Sequence, residues 1–143
     1  MKIIGFQFNK ILCEKKGGNL KDVKLNTNID LSSIDEVKSE MIKTKEQIIS
    51  VKFNYLINYA PQFAKIELSG EIVMVEDEKI AKEILKDWKD KKLPPQFKMG
   101  LFNLILKKSS IKALQLEEEM GLPYHIPFPS LKASEDDSKS KKE

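Results

Sequence analysis

His125 is the only histidine in the sequence and Cys13 the only cysteine. General-base chemistry and thiol chemistry therefore have one candidate residue each. A nucleophile–base pair needs a third group to orient it, and a metal centre needs several ligands. The residues flanking His125 are Tyr124, Ile126 and Pro127, which supply neither. Glycine-rich phosphate loops, serine nucleophile elbows and paired-histidine zinc motifs are also missing. His125 reads as a loop histidine with a structural hydrogen bond. The chain reads as a non-enzyme with no metal or cofactor site.

Binding chemistry is better represented. The run Glu117-Glu118-Glu119 reads as a solvated helix end that could face a basic partner, and Lys107-Lys108 as a solvated helix edge. The net charge of +3 comes from 25 basic and 22 acidic residues, and every basic residue is Lys. Planar, bidentate recognition of phosphate or guanine favours Arg, so the basic charge is weak evidence for nucleic acid, which is not an expected partner. Phe53, Tyr55 and Tyr59 could stack bases, but they share a parity with Ile49, Val51 and Ile57 and read as core. The most informative stretch is 121–131. There Pro123, Pro127 and Pro129 interrupt Leu122, Tyr124, Ile126 and Phe128. Proline fixes the backbone without internal hydrogen bonds, which gives a stiff extended crossover. It is either a strap closed over the core or one wall of an apolar groove. Each Phe or Leu that a partner buries there contributes ~1.5–3 kcal/mol. Three or four anchors leave roughly micromolar, weakly sequence-specific binding after association costs.

The elements around that stretch follow from periodicity. Alternation over 3–13, with a parity switch near Lys10, predicts a first strand, and 23–31 a second. Residues 32–44 are open to loop, helical turn or strand extension. The clearest strand is 47–59, ended by Pro61, with a fourth at 63–75 and a bend at Gly70. Short links between strands predict an antiparallel meander. Asp77 is the expected N-cap of a helix over 78–91, whose buried stripe is Ile80, Ala81, Ile84, Leu85 and Trp88. After Pro94-Pro95 a long helix runs from about Phe97 to Met120 and stops at Gly121. Phe97, Leu101, Leu104, Ile105 and Ile111 form its stripe, while Met99, Phe102, Leu106, Ala113, Leu114 and Leu116 widen it. A helix so apolar around its girth needs a second protein surface, most simply another copy of the chain. Leu101, Phe102, Leu104, Ile105, Ile111 and Leu114 are the expected oligomer contacts.

Strands first and helices last predict an α+β fold, a four-stranded antiparallel meander with two C-terminal helices on one face. Residues 1–132 are expected to form one domain, and 133–143 a disordered charged tail. No run reaches the ~20 apolar residues of a membrane span, and the N-terminal residues do not pattern as a signal peptide. The lone cysteine fits a reducing compartment, so the expected location is cytoplasmic.

This order of elements resembles the SecB family of export chaperones. Asn103-Leu104-Ile105-Leu106 through Glu119-Met120-Gly121 looks like the family's long helix, and Leu122-Pro123-Tyr124-His125-Ile126-Pro127-Phe128 like its crossover. The resemblance implies binding of unfolded polypeptide without ATP, by a tetramer built as a dimer of dimers with the long helix at its centre. Carried over by position, Leu122, Pro123, Tyr124, Ile126, Pro127 and Phe128 would line the client groove. The sequence departs from the family in its separate helix at 78–91, in a helix after the crossover that is missing or reduced to the polar tail, and in lacking the Cys/His-rich zinc tail that docks the export motor in some members. The reading is an ATP-independent holdase for unfolded client polypeptides. The alternatives are a module for one dedicated partner (ribosome-associated, or an inhibitor or antitoxin-like factor) and an RNA-binding domain.

Overall fold

A computed structural model of the protein describes residues 2–18, 20–38 and 45–133. The alternating segments form strands β1 Lys2–Lys15, β2 Lys24–Val37, β3 Glu46–Ala60 and β4 Ala64–Asp77. Helices α1 Glu78–Lys89 and α2 Pro95–Met120 follow and share one face of the sheet, giving the α+β fold. The open stretch at 32–44 begins as strand, because β2 continues to Val37 beyond a register slip between Leu31 and Ser33. Residues 39–44 lie outside the described residues, as does the expected tail apart from Ala133.

The meander requires correction. β2, β3 and β4 follow one another, but the spatial order is β1-β4-β3-β2, so the first strand lies beside the last. Periodicity reveals which face a residue occupies and not which strand it pairs with. The link from Lys15 to Lys24 can span the ~14 Å of three strand spacings, and it carries one 3-10 turn at Leu20–Asp22.

On β3 and β4 the side chains facing the helices are sealed. Ile49, Val51, Phe53, Tyr55, Ile57, Tyr59, Ile66, Leu68, Ile72 and Met74 are all 1% exposed or less. The three aromatics of β3 therefore offer no stacking platform. Gly70 marks a close approach between strands and side chains. A Cβ there would lie 2.3 Å from the Gln7 carbonyl and 2.8 Å from the Phe53 ring. β1 slips register opposite it, between Phe8 and Lys10. The Phe53 ring fills the missing side chain's place and meets Phe6 at 5.3 Å and Phe8 at 6.3 Å.

Asp77 occupies the N-cap position of α1, but its side chain makes no capping bond; the Glu78 N–H donates to the Lys45 carbonyl instead, at 2.9 Å. Ala81 and Ile84 are buried, whereas Ile80 is 43% exposed and leaves the expected stripe. Glu78 and Lys82 pair at 3.1 Å. α2 opens with Pro at its first position, where no N–H is needed, and closes at Gly121 with φ 64. Its buried residues are Leu101, Ile105, Ser109, Ala113 and Glu117. A row of every fourth residue winds slowly around a helix, and this row is the one α2 buries.

Candidate functional site

That winding row sorts the expected oligomer contacts. Leu101 and Ile105 are 0% exposed in the protomer's own core, so they have no surface to offer a second chain. Leu104 and Phe102 pack on the flanks of the same core. Leu114 is partly buried, and Ile111 is 53% exposed. Met99 at 66% and Leu106 at 40% belong with the exposed apolar residues that the sequence placed only in the broadened stripe. The outward row of α2 is Met99, Asn103, Lys107, Ile111, Gln115 and Glu119, all exposed.

The acidic run divides three ways. Glu117 is fully buried on the sheet-facing row, Glu118 turns toward the crossover, and Glu119 is exposed. Glu117 receives the Tyr59 hydroxyl on one oxygen and His125 Nδ1 on the other, the latter at 2.8 Å. The Tyr59 hydroxyl, with one proton to give, also lies 2.9 Å from the Pro123 carbonyl. Burial, then the hydrogen bond to Glu117, pushes the Tyr59 phenol far above its ordinary range. The His125 side chain is 4% exposed and edges against the Tyr55 ring. Nδ1–H donation to the carboxylate leaves Nε2 buried without a partner among the described residues. This histidine is a structural clamp. Cys13 lies near the same carboxylate. Burial, then the charges of Glu117 and Glu119, pushes its thiol up, which opposes nucleophile activation. No group of three or more potential metal ligands occurs among the described residues.

Glu117 was hidden from sequence reasoning by its neighbours Glu118 and Glu119. The available signal was its place four residues beyond Ala113 in the row from Leu101, together with polar-tipped Tyr59 on the core face of β3.

The clamp fixes the crossover. Leu122 is 5% exposed and its N–H caps the helix through the Glu117 carbonyl at 2.8 Å, so it belongs to the core and not to a groove wall. Pro123 contributes its carbonyl to the clamp. Beyond it Tyr124, Ile126 and Phe128 stand 45%, 40% and 56% exposed, with Pro127 exposed between them. Tyr124 donates to Glu118, which raises its own pKa, and its ring lies 5.0 Å from that of Phe128. Tyr124, Phe128, Leu114, Gln115, Glu118 and Glu119 line an open cleft of about 700 Å³. It is an apolar trough with an acidic rim.

No family model and no curated protein sequence matches the chain. Among solved structures it is similar to a SecB-like chaperone of Mycobacterium tuberculosis in complex with a ChAD peptide from the HigA1 antitoxin. The TM-score is 0.51 and the identity 9%, with 92% of this chain and 89% of that chain covered. The fold is SecB-like. At that identity the likeness concerns architecture alone. Among the described residues no helix is long and apolar enough to cross a membrane.

Proposed function

We propose that the protein is an ATP-independent holdase that binds unfolded or non-native polypeptides along the crossover, acting in the cytoplasm as an oligomer, with protein export as one setting. The observation that carries this reading is the rigid presentation of apolar side chains. Tyr124, Ile126 and Phe128 are exposed on a segment that the buried Glu117, Tyr59 and His125 tie to helix and sheet. A surface that is pre-formed loses less entropy on binding than one that must order first. Anchoring by apolar side chains discriminates weakly between sequences, which suits varied clients, while the Glu118 and Glu119 rim favours those with basic residues. The exposed Met99, Leu106 and Ile111 on α2 give the oligomer its natural contact.

Light scattering from an aggregating, chemically unfolded client tests the proposal. The protein should suppress scattering at near-stoichiometric amounts without nucleotide. Ile126→Ser with Phe128→Ser should weaken suppression several-fold, while the melting temperature and the oligomer mass stay unchanged. No suppression by the well-folded wild type would sink the idea.

A second reading is one dedicated peptide partner in the same trough. It is favoured by the structural neighbour's having a single antitoxin peptide bound. Recovery of one stoichiometric polypeptide with the purified protein, in place of a mixture, would favour it.

A further inference from the structure

A second cleft lies away from the crossover, where the end of α1 and the start of α2 meet the edge of the sheet. It encloses about 440 Å³ and is lined by Leu31, Ser32, Trp88, Leu93, Lys98 and Phe102, with Asp30 and Lys91 also contributing. Leu31, Trp88, Leu93 and Phe102 are only partly buried by the core they pack on, so each keeps apolar surface for the cleft. Its charged groups are mainly cationic. The Lys98 ammonium sits 5.6 Å over the Phe102 ring. Lys91 is held at φ 55, with its N–H bonded to the Trp88 carbonyl at 2.9 Å and the next N–H, of Lys92, to Asp87 at 2.8 Å. Neither ammonium forms an ion pair among the described residues, and the first turn of α2 carries no acid. Asp30 is the one carboxylate in the lining. It belongs to β2, an edge strand whose outer backbone has no neighbouring strand among the described residues.

The geometry points to this cleft as the binding site of an extended peptide that presents a phenylalanine-sized side chain next to an acidic residue. The apolar chain enters between Trp88, Phe102 and Leu93. The carboxylate meets Lys98 and Lys91. The peptide backbone runs beside the edge of β2, where unpaired main-chain groups give register without requiring further sequence. The opposite charge of the crossover trough, rimmed by Glu118 and Glu119, separates the two sites chemically. The inference does not rest on holdase activity.

Trp88 is the only tryptophan in the chain and lines this cleft, so its emission reports occupancy directly. The full-length protein is titrated with a peptide blocked at both ends, Gly-Asp-Phe-Asp-Leu-Gly, and with its counterpart Gly-Lys-Phe-Lys-Leu-Gly. The acidic peptide should change Trp88 emission saturably and bind at least about tenfold tighter than the basic one. Its affinity should fall several-fold between roughly 0.02 and 0.3 M salt. Lys91→Gln with Lys98→Gln should weaken it about three- to tenfold at an unchanged melting temperature, since both groups are exposed. Phe128→Ser, in the other trough, should leave the titration unaltered. The proposal is overturned by an absent or non-saturating change, by equal affinity for the two peptides, or by loss of the signal in Phe128→Ser. None of these outcomes bears on client suppression, which reads the crossover.

Discussion

At the scale of single residues, the buried carboxylate of Glu117 governs most of what can be measured. Two hydrogen-bond donors depend on it, and removing one member of a buried polar set leaves the others desolvated and unpaired. Glu117→Ala should cost about 3 kcal/mol in denaturant unfolding, and Tyr59→Phe about 1–2 kcal/mol. Glu117→Ala should also free the crossover, giving faster amide exchange at Tyr124 and Ile126 than in wild type. The same corner sets the alkaline limit. The Cys13 thiol is raised above its ordinary 9.0 by burial and the nearby carboxylates, and the Tyr59 phenol is raised above 10.0. Both groups hold their protons more tightly folded than unfolded. Their contribution is therefore complete below pH 9.0 and is lost as pH climbs through the raised folded values. Thermal melts should be flat into mildly alkaline buffer and fall beyond it, with Cys13→Ser and Tyr59→Phe each flattening the decline. A steeper decline in either variant would contradict this account. His125 was legible as a structural residue because no partner for catalysis stood near it in sequence. Its actual partner was not, since Glu117 reads as the solvated start of an acidic run until the winding row of α2 is traced.

At the scale of elements, local patterning proved readable and pairing did not. The alternation of Ile49 through Tyr59 and of Ala64 through Met74 fixes which face each residue occupies, and the structure buries those faces. Pro95 and Gly121 bound α2 by their own backbone preferences. Nothing in that local chemistry specifies whether β1 lies beside β2 or β4, because the choice depends on long-range contacts. Gly70 shows the same gap between levels. Its presence in a strand is visible in the sequence, but its cause is the Gln7 carbonyl across the β1 register slip and the Phe53 ring beneath. The nearer obstacle is backbone, and the Phe53 ring tip is buried against Phe6 and Phe8, so Gly70→Ala should force strand movement. The expected loss is about 1–3 kcal/mol, with exchange protection falling first along β1. An unchanged midpoint would mean that β1 can yield without cost.

At the scale of the molecule, the outward row of α2 makes a directional statement about assembly. Lys107 stands near its middle, Glu119 at its end, and exposed Ile111 between them. A twofold axis perpendicular to α2 reverses the partner helix, so an antiparallel contact centred close to residue 113 brings Lys107 of each copy near Glu119 of the other. Parallel stacking brings like charges together instead. An isologous interface must be complementary to itself in this way. If the proposed oligomer uses this face, Ile111→Lys should lower the solution mass to that of a monomer, because it buries an unpaired ammonium where apolar surface was covered. Lys107→Glu and Glu119→Lys should each weaken association, and the double exchange should restore much of it by returning opposite signs to the contact. Sedimentation equilibrium across the four proteins reads this directly. Additive losses in the double exchange would mean that the two side chains do not face each other, and no loss in either single exchange would place the contact elsewhere on the molecule. The edge strands β1 and β2 would then become the surfaces to test.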